Sequence, residues 1–311
     1  MSVLRVIYLV ALCPYDLVED EAFYWEWSRH LDWSYTTKGP GIALCIRAAT
    51  ELFGSGEAGI RMVAVISMAV ASLAAAGLAM DVCRRRHAGV WAAGMVALAP
   101  ALHMMGLITT IDGPTIACWA VGCWAGWRAL MARSGPAWVA LAASIALGTL
   151  VKYTVLLLPL GLVVFALVSR SSLRVHPRWR LGAGLVLVAT LAALAPVVYW
   201  NAREGWPTFR HLVGHLNLPG GDHPGATRSG WGYSPTWTLE LAAAQLGLLG
   251  PGALLGAGAL LVRGRRRAAL DEALAPKAAA YLGWCAAGIF GFYLVVSFIN
   301  RPQGNWPLPG G

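Results

Sequence analysis

The chain has 311 residues, 58% of them hydrophobic and only 13% charged, well below the roughly 25% charged residues of an ordinary soluble domain. Its formal net charge is +9, but the arginines fall in short clusters between apolar runs, which excludes the continuous basic face, interleaved with aromatics, that nucleic acid requires. The six cysteines form no C-x-x-C and no metal-ligand spacing, so they read as small packing residues.

The composition predicts an all-α, polytopic membrane protein, because a helix of about 20 apolar residues spans the hydrocarbon and satisfies its own backbone. In chain order the apolar runs give about nine spans: 3–14, 60–80, 90–108, 114–131, 137–150, 154–169, 181–200, 238–262 and 278–299. The first run is as short as a signal-peptide core. Leu12 before Cys13 is not the small residue that lipoprotein cleavage favours, so the run is read as a retained membrane helix. The fifth is too short to span unless 151–154 extends it. His103, inside the third, reads as a hydrogen-bonded interior residue rather than a ligand. The chain stops soon after the ninth run, in mid-loop, and truncation at the C-terminus is expected.

Alternating the loops between two sides tests the topology. One side collects 15 of the 24 Lys and Arg, Arg5 and Arg84–Arg86 among them, and 3 of the 15 acids. By its excess of cations that side is cytoplasmic. The opposite side then carries twelve acids, a first large loop at 14–59, short turns near 109–114 and 151–154, a second large loop at 201–236 and the tail from residue 300. No second domain is visible, so 1–311 reads as one membrane domain.

The first external loop is the densest polar stretch. "EAFYWEWSRHL" (21–31) lacks Gly and Pro and ends in Arg-His, which predicts a helix lying at the interface. A second, 42–53, follows the "KGPG" turn. Asp20 and Glu21 at the entry have two readings: a solvated helix cap, or a carboxylate poised to take a proton from an acceptor hydroxyl. Asp112, two residues before Pro114, suits an N-cap. Lys152 either snorkels to the interface or meets phosphate there, and Arg61 at the entry of the second span is a comparable case. In the second loop Arg203 and Arg210 suit contact with a lipid carrier or an acceptor. His211 and His215 have metal-ligand spacing but no third ligand nearby, so a divalent metal is possible but unsupported.

Motifs in the external segments resemble one family. "DEAFYWEWSRHL", "YTTKGPG", "FGSGEAGIRMVAV", "TTIDGPTIACW", "LVKYTVLLLPL", "WNAREGWPTFRH" and "GNWP" occur in order and look like polytopic GT-C glycosyltransferases. The resemblance is greatest to the bacterial branch related to protein O-mannosyltransferases and the lipid A aminoarabinose transferase. It implies inverting transfer of a hexosyl or pentosyl group from a polyprenyl-phosphate donor to a glycan, lipid or protein acceptor on the outer face of the plasma membrane. The alternative is a transporter or flippase of a lipid-linked glycan. On the family reading Asp20 is the base or acceptor-orienting carboxylate and Glu21 supports it. Tyr35 and Lys38 match the family's Tyr-x-x-Lys-Pro turn, with Lys38 on the donor phosphate beside Arg61 and Lys152; Asp112, Arg203 and Arg210 support them. The sequence departs from the pattern at Gly39, where relatives often carry the first proline of a pair.

Overall fold

A computed structural model of the chain describes residues 1–170, 173–215, 220–222, 233–263, 275–307 and 309, without the side chains of 215, 249, 251–263, 275 and 276. The expected helices are present: α1 (Ser2–Ile7), continued by a π-helical turn to Leu12, α2 (Glu19–Arg29), α3 (Gly41–Phe53), α4 (Glu57–Cys83), α5 (Arg86–Leu98), α6 (Pro100–Met104) and α7 (Asp112–Met131). They continue with α8 (Gly135–Val151), α9 (Leu157–Val168), α10 (Trp179–Glu204), α11 (Pro207–His215), α12 (Pro235–Arg263) and α13 (Ala275–Ser297). Each predicted apolar run carries helix. By length and composition α4, α10 and Lys277–Ser297 can cross a membrane. Part of the second large loop, and Arg265–Arg267, Asp271 and Glu272 of the charge count, lie outside the described residues.

α7 is central, packing against α4, α8, α9 and α13, while α10 lies on the far side of α8. The largest core cluster joins Trp119, Cys123 and Trp127 of α7 to Leu141 and Ile145 of α8, Leu158 and Phe165 of α9, and Tyr281 and Ile289 of α13. In an apolar solvent such packing gains from close backbone approach at small residues. At Gly161 a Cβ would stand 2.3 Å from the Trp284 carbonyl oxygen, so α9 and α13 meet there backbone to backbone.

Three elements differ from the sequence reading. The third run is broken: Ala99 is extended (φ −58°, ψ 128°) before Pro100, as the clash of a proline ring with the preceding residue demands. The break exposes the Ala97 carbonyl, which accepts from the Arg5 guanidinium at 3.4 Å and lies 3.3 Å from His103 Nδ1. Arg5 is therefore buried inside the bundle, 3% exposed, rather than at a solvated end of a span. The fifth run gains its length at its start, from Gly135, and stops at Val151 because Lys152 is extended (φ −151°, ψ 121°).

α2 is tied to α4 by a buried ion pair. Glu21, fully buried, accepts from Arg61 Nη2 of α4 at 2.9 Å, from the Thr109 amide at 2.8 Å and from the Val18 amide at 3.1 Å. The remaining Arg61 donors reach the carbonyls of Tyr15 and Asp16 at 3.0 and 2.8 Å. A fully bonded pair tolerates burial, whereas removing one partner strands a charge at a cost of about 3–5 kcal/mol. Glu21→Ala is expected to lower the thermal midpoint of the detergent-purified protein sharply, and Glu21→Ala with Arg61→Leu to recover part of that loss. Thermal unfolding of the single and double variants measures it.

Candidate active site

The chain ends that the charge pattern assigns to one side converge on a cavity of about 560 Å³. Asp20 and Tyr24 come from the first two turns of α2, Lys38 from the turn before α3, Asp112 from the first position of α7 and Lys152 from the residue after α8. Tyr153, Thr154, Leu212 of α11, Tyr293 of α13 and the segment Gln303–Trp306 complete the wall.

Asp112 and Lys152, 3% and 8% exposed, form an ion pair, with Nζ 2.8 Å from Oδ1. Asn305 Nδ2 donates to the other carboxylate oxygen at 2.9 Å. Both oxygens are thus engaged, and the position of Asp112 in the first turn of α7 adds the attraction of a helix N-terminus for negative charge.

Lys38 reaches the same cavity for a reason carried by its neighbour. A Cβ on Gly39 would lie 2.4 Å from the Leu150 carbonyl oxygen, and one on Gly41 2.7 Å from the Leu150 carbonyl carbon. The Lys38–Gly41 turn therefore rests directly on the last turn of α8, bringing Lys38 toward Lys152. A proline at position 39 could not make this contact unshifted, which gives the departure from the family pattern a physical basis. Burial and then repulsion from Lys152 lower the Lys38 pKa to about 8, against the pull of Asp112 and Asp20. Lys38 makes no ion pair within 4 Å among the described residues.

Asp20 stands at the open edge of the cavity, its carboxyl raised above the ordinary range by desolvation and then by Asp112 and Glu19, with Lys38 opposing. Tyr24, 6% exposed, is held neutral by burial and by the two aspartates.

The other candidates lie elsewhere. Glu21 and Arg61 pair with each other and are absent from the cavity wall. Tyr35 stacks on Trp27, with ring centroids 4.2 Å apart, and donates its hydroxyl toward the Trp27 and His30 carbonyls, so it shapes the turn that carries Lys38. Arg203 is exposed against Tyr199, and Arg210 donates to the Gly205 carbonyl. Neither lines the cavity. His211 lies 3.0 Å from Asp222, and the His215 side chain is outside the described residues. Among the described residues no group of three or more His, Cys, Asp or Glu is placed to hold a metal ion.

The sequence did not assign Tyr24, Gln303, Asn305 or Trp306 to the cavity. The "GNWP" motif was the available signal for the last two, but nothing local indicated that it folds back across the chain to Asp112.

The second loop docks on the first. Buried Asn201 accepts from the Thr208 amide at 3.0 Å, and Thr208 Oγ1 donates to the Tyr35 carbonyl at 3.1 Å. Trp200 Nε1 donates to Asp32 at 2.8 Å. Gly39→Ala is expected to lift the Lys38 turn from α8 at a cost of about 1–3 kcal/mol, typical of overpacking. Its thermal midpoint falls, and the Lys38 pKa rises toward the ordinary lysine value as water returns. Amine labelling across pH with mass spectrometry reads the second effect.

Known proteins resemble the chain in sequence and in fold. Residues 37–200 match the family described as dolichyl-phosphate-mannose-protein mannosyltransferase. The chain is 29% identical over 263 residues to the lipid A galacturonosyltransferase RgtD of Rhizobium johnstonii, covering 80% of this chain and 50% of that protein. The crystal structure of ArnT from Cupriavidus metallidurans bound to undecaprenyl phosphate superposes with a TM-score of 0.72 at 20% identity, over 99% of this chain and 56% of that one. The apo ArnT structure superposes with a TM-score of 0.66 at 23% identity and the same coverage. The chain spans about half the length of the relatives it matches. With the match extending over more than half of its residues, the chain belongs to the dolichyl-phosphate-mannose-protein mannosyltransferase family of GT-C membrane glycosyltransferases.

Proposed function

We propose that this cavity transfers a sugar from a polyprenyl-phosphate carrier to an acceptor at the outer face of the plasma membrane, with inversion at the anomeric carbon. The observation that carries the reading is Lys38, a cation in a largely apolar cavity with no ion-pair partner among the described residues, beside a second lysine already paired with Asp112. That arrangement suits a ligand that brings one phosphate group. The binding of undecaprenyl phosphate by ArnT supports the carrier class, and the lipid A named for RgtD supports a saccharide-lipid acceptor.

In this reaction an acceptor oxygen attacks the anomeric carbon as the bond to the phosphate oxygen breaks, and polyprenyl phosphate leaves as a monoester. Negative charge grows on the leaving phosphate in the transition state, so an ammonium held there stabilises the transition state more than the ground state. Lys38 supplies it. Lys152, locked by Asp112, adds fixed positive potential near the same phosphate. Asp20 accepts the proton of an acceptor hydroxyl; its raised carboxyl brings it closer to the ideal for a base working near neutral pH. Where the acceptor is itself a phosphate there is no proton to remove, and Asp20 orients it. Leu156, Leu157 and Val296 on the apolar part of the wall meet the first isoprene units. Arg203 and Arg210, outside the cavity, contribute to the membrane-facing surface where acceptor approaches. Glu21 and Arg61 act as positioning residues, through the placement of α2.

Given radiolabelled undecaprenyl-phosphate sugar, membranes containing Lys38→Ala or Asp20→Asn are expected to incorporate label at least about a hundredfold more slowly than wild type, within the range set by loss of electrostatic or acid–base assistance. Equal incorporation by all three proteins would remove both residues from the mechanism. The pH profile carries an independent sign. Lys38 is charged below its value of about 8, so kcat/KM falls as pH rises through that value. Protonation of Asp20 makes kcat/KM fall on the acid side as well, at a pH above the ordinary carboxylate range. Lys38→Arg, which stays charged, is expected to abolish the alkaline fall while retaining some activity.

A further inference from the structure

The cavity wall divides by chemistry. Its carboxylate and lysine side belongs to α2, the Lys38 turn, α7 and α8. The remaining part, Gln303, Asn305, Trp306 and Tyr293, carries no charged side chain and no role in the proposed phosphate chemistry. The segment Gln303–Trp306 is held at several points. Gln245 of α12 donates to the Gly304 carbonyl at 2.8 Å. A Cβ on Gly304 would lie 2.5 Å from that of Ala244. Asn305 is fixed by Asp112 at 2.9 Å, and the Trp306 ring lies against Tyr293 with centroids 5.5 Å apart. This is a strap seated on α12 and α13 with its side chains on the cavity.

Its unused bonding capacity is specific. Asn305, on the cavity wall, gives one N–H to Asp112, and its amide oxygen has no partner among the described residues. Gln303 accepts from Trp306 Nε1 at 2.9 Å with its amide oxygen, so its two N–H donors remain. An amide acceptor and an amide donor pair beside an indole match a ring that carries hydroxyls on its edge and C–H bonds on its face. A phosphate is poorly served there, because no cation belongs to that part of the wall, and an isoprene chain would leave the amides unpaired at a cost.

We propose that the strap is the sugar-ring subsite: Trp306 lies along the C–H face of the donor's sugar, while Gln303 and Asn305 hydrogen-bond its hydroxyls and set which sugar is accepted. The assignment rests on the carrier reading above and adds to it the residues that recognise the transferred group. Contacts of this kind discriminate strongly, since a sugar lacking the matching hydroxyl strands a polar group in the cavity.

The test uses the full chain in lipid nanodiscs and binding measured by native mass spectrometry. The probes are undecaprenyl phosphate alone and undecaprenyl phosphate bearing a neutral hexose, a hexuronic acid or an amino-pentose. For the sugar that wild type binds best, Trp306→Ala and Gln303→Ala are each expected to weaken binding by about tenfold or more, while the sugar-free carrier changes by less than about twofold; Trp306→Phe retains the ring and most of the affinity. Lys38→Ala weakens all four probes together. If Trp306→Ala and Gln303→Ala weaken sugar-free and sugar-bearing carriers alike, or neither, the subsite is overturned and the carrier reading stands. If wild type binds none of the four, the carrier reading itself falls, and the subsite with it.

Discussion

The buried ion pair between Asp112 and Lys152 is the point on which the site turns. It joins the start of α7 to the end of α8, and through Asn305 it also fixes the segment that follows α13. A buried pair is weak evidence for stability, because desolvation offsets most of its attraction. Its consequence here is positional. By offsetting part of the Lys152 charge it allows a second cation to approach the same cavity, and the close contact of Gly39 with α8 holds that cation there. Lys38 then sits in an environment that opposes its charge. An anionic ligand would relieve the opposition, which is the physical ground for the proposed phosphate contact.

The loop that carries Lys38 is secured from both sides. Glu21 and Arg61 tie α2 to α4 on one side, and Thr208, itself held by Asn201, donates to the Tyr35 carbonyl on another. Few of these contacts touch the cavity. They fix the relative positions of Asp20 and Lys38, which lie eighteen residues apart on separate elements, to the precision that a reaction between two bound partners requires.

The helices were legible because apolar runs and their charged boundaries are local signals. The break after Ala99 was not read, although Pro100 was present to cause it, because the apolar run around it was long enough for one span. The four ionisable residues of the cavity were legible by side: Asp20, Lys38, Asp112 and Lys152 fall in segments that alternate topology sends to one face. The function of each carboxylate was less accessible. Asp20 and Glu21 are adjacent in sequence, but neighbours on a helix point about 100° apart, and one turned to the cavity while the other turned to Arg61. Asn305 contacts Asp112 across 193 residues. Such a contact depends on how α12 and α13 pack and leaves no periodicity to read.

The same accounting narrows the choice of proposed base. Four carboxylates belong to the α2 entry and the α7 turn, and the first of them, Glu19, is absent from the cavity wall. Glu21 is fully buried with both oxygens bonded to Arg61, and further bonded to the Thr109 and Val18 amides. Asp112 is bonded through one oxygen to Lys152 and through the other to Asn305. To accept a proton either would have to abandon a buried cation or an amide, an exchange whose cost appears directly in the barrier. Asp20 has neither commitment, lines the cavity at its open edge and has a raised affinity for a proton. The opening Asp-Glu pair thus divides into a carboxylate that builds the loop and one left able to meet an incoming acceptor, and the order of the two letters follows from which face of α2 turns toward α4.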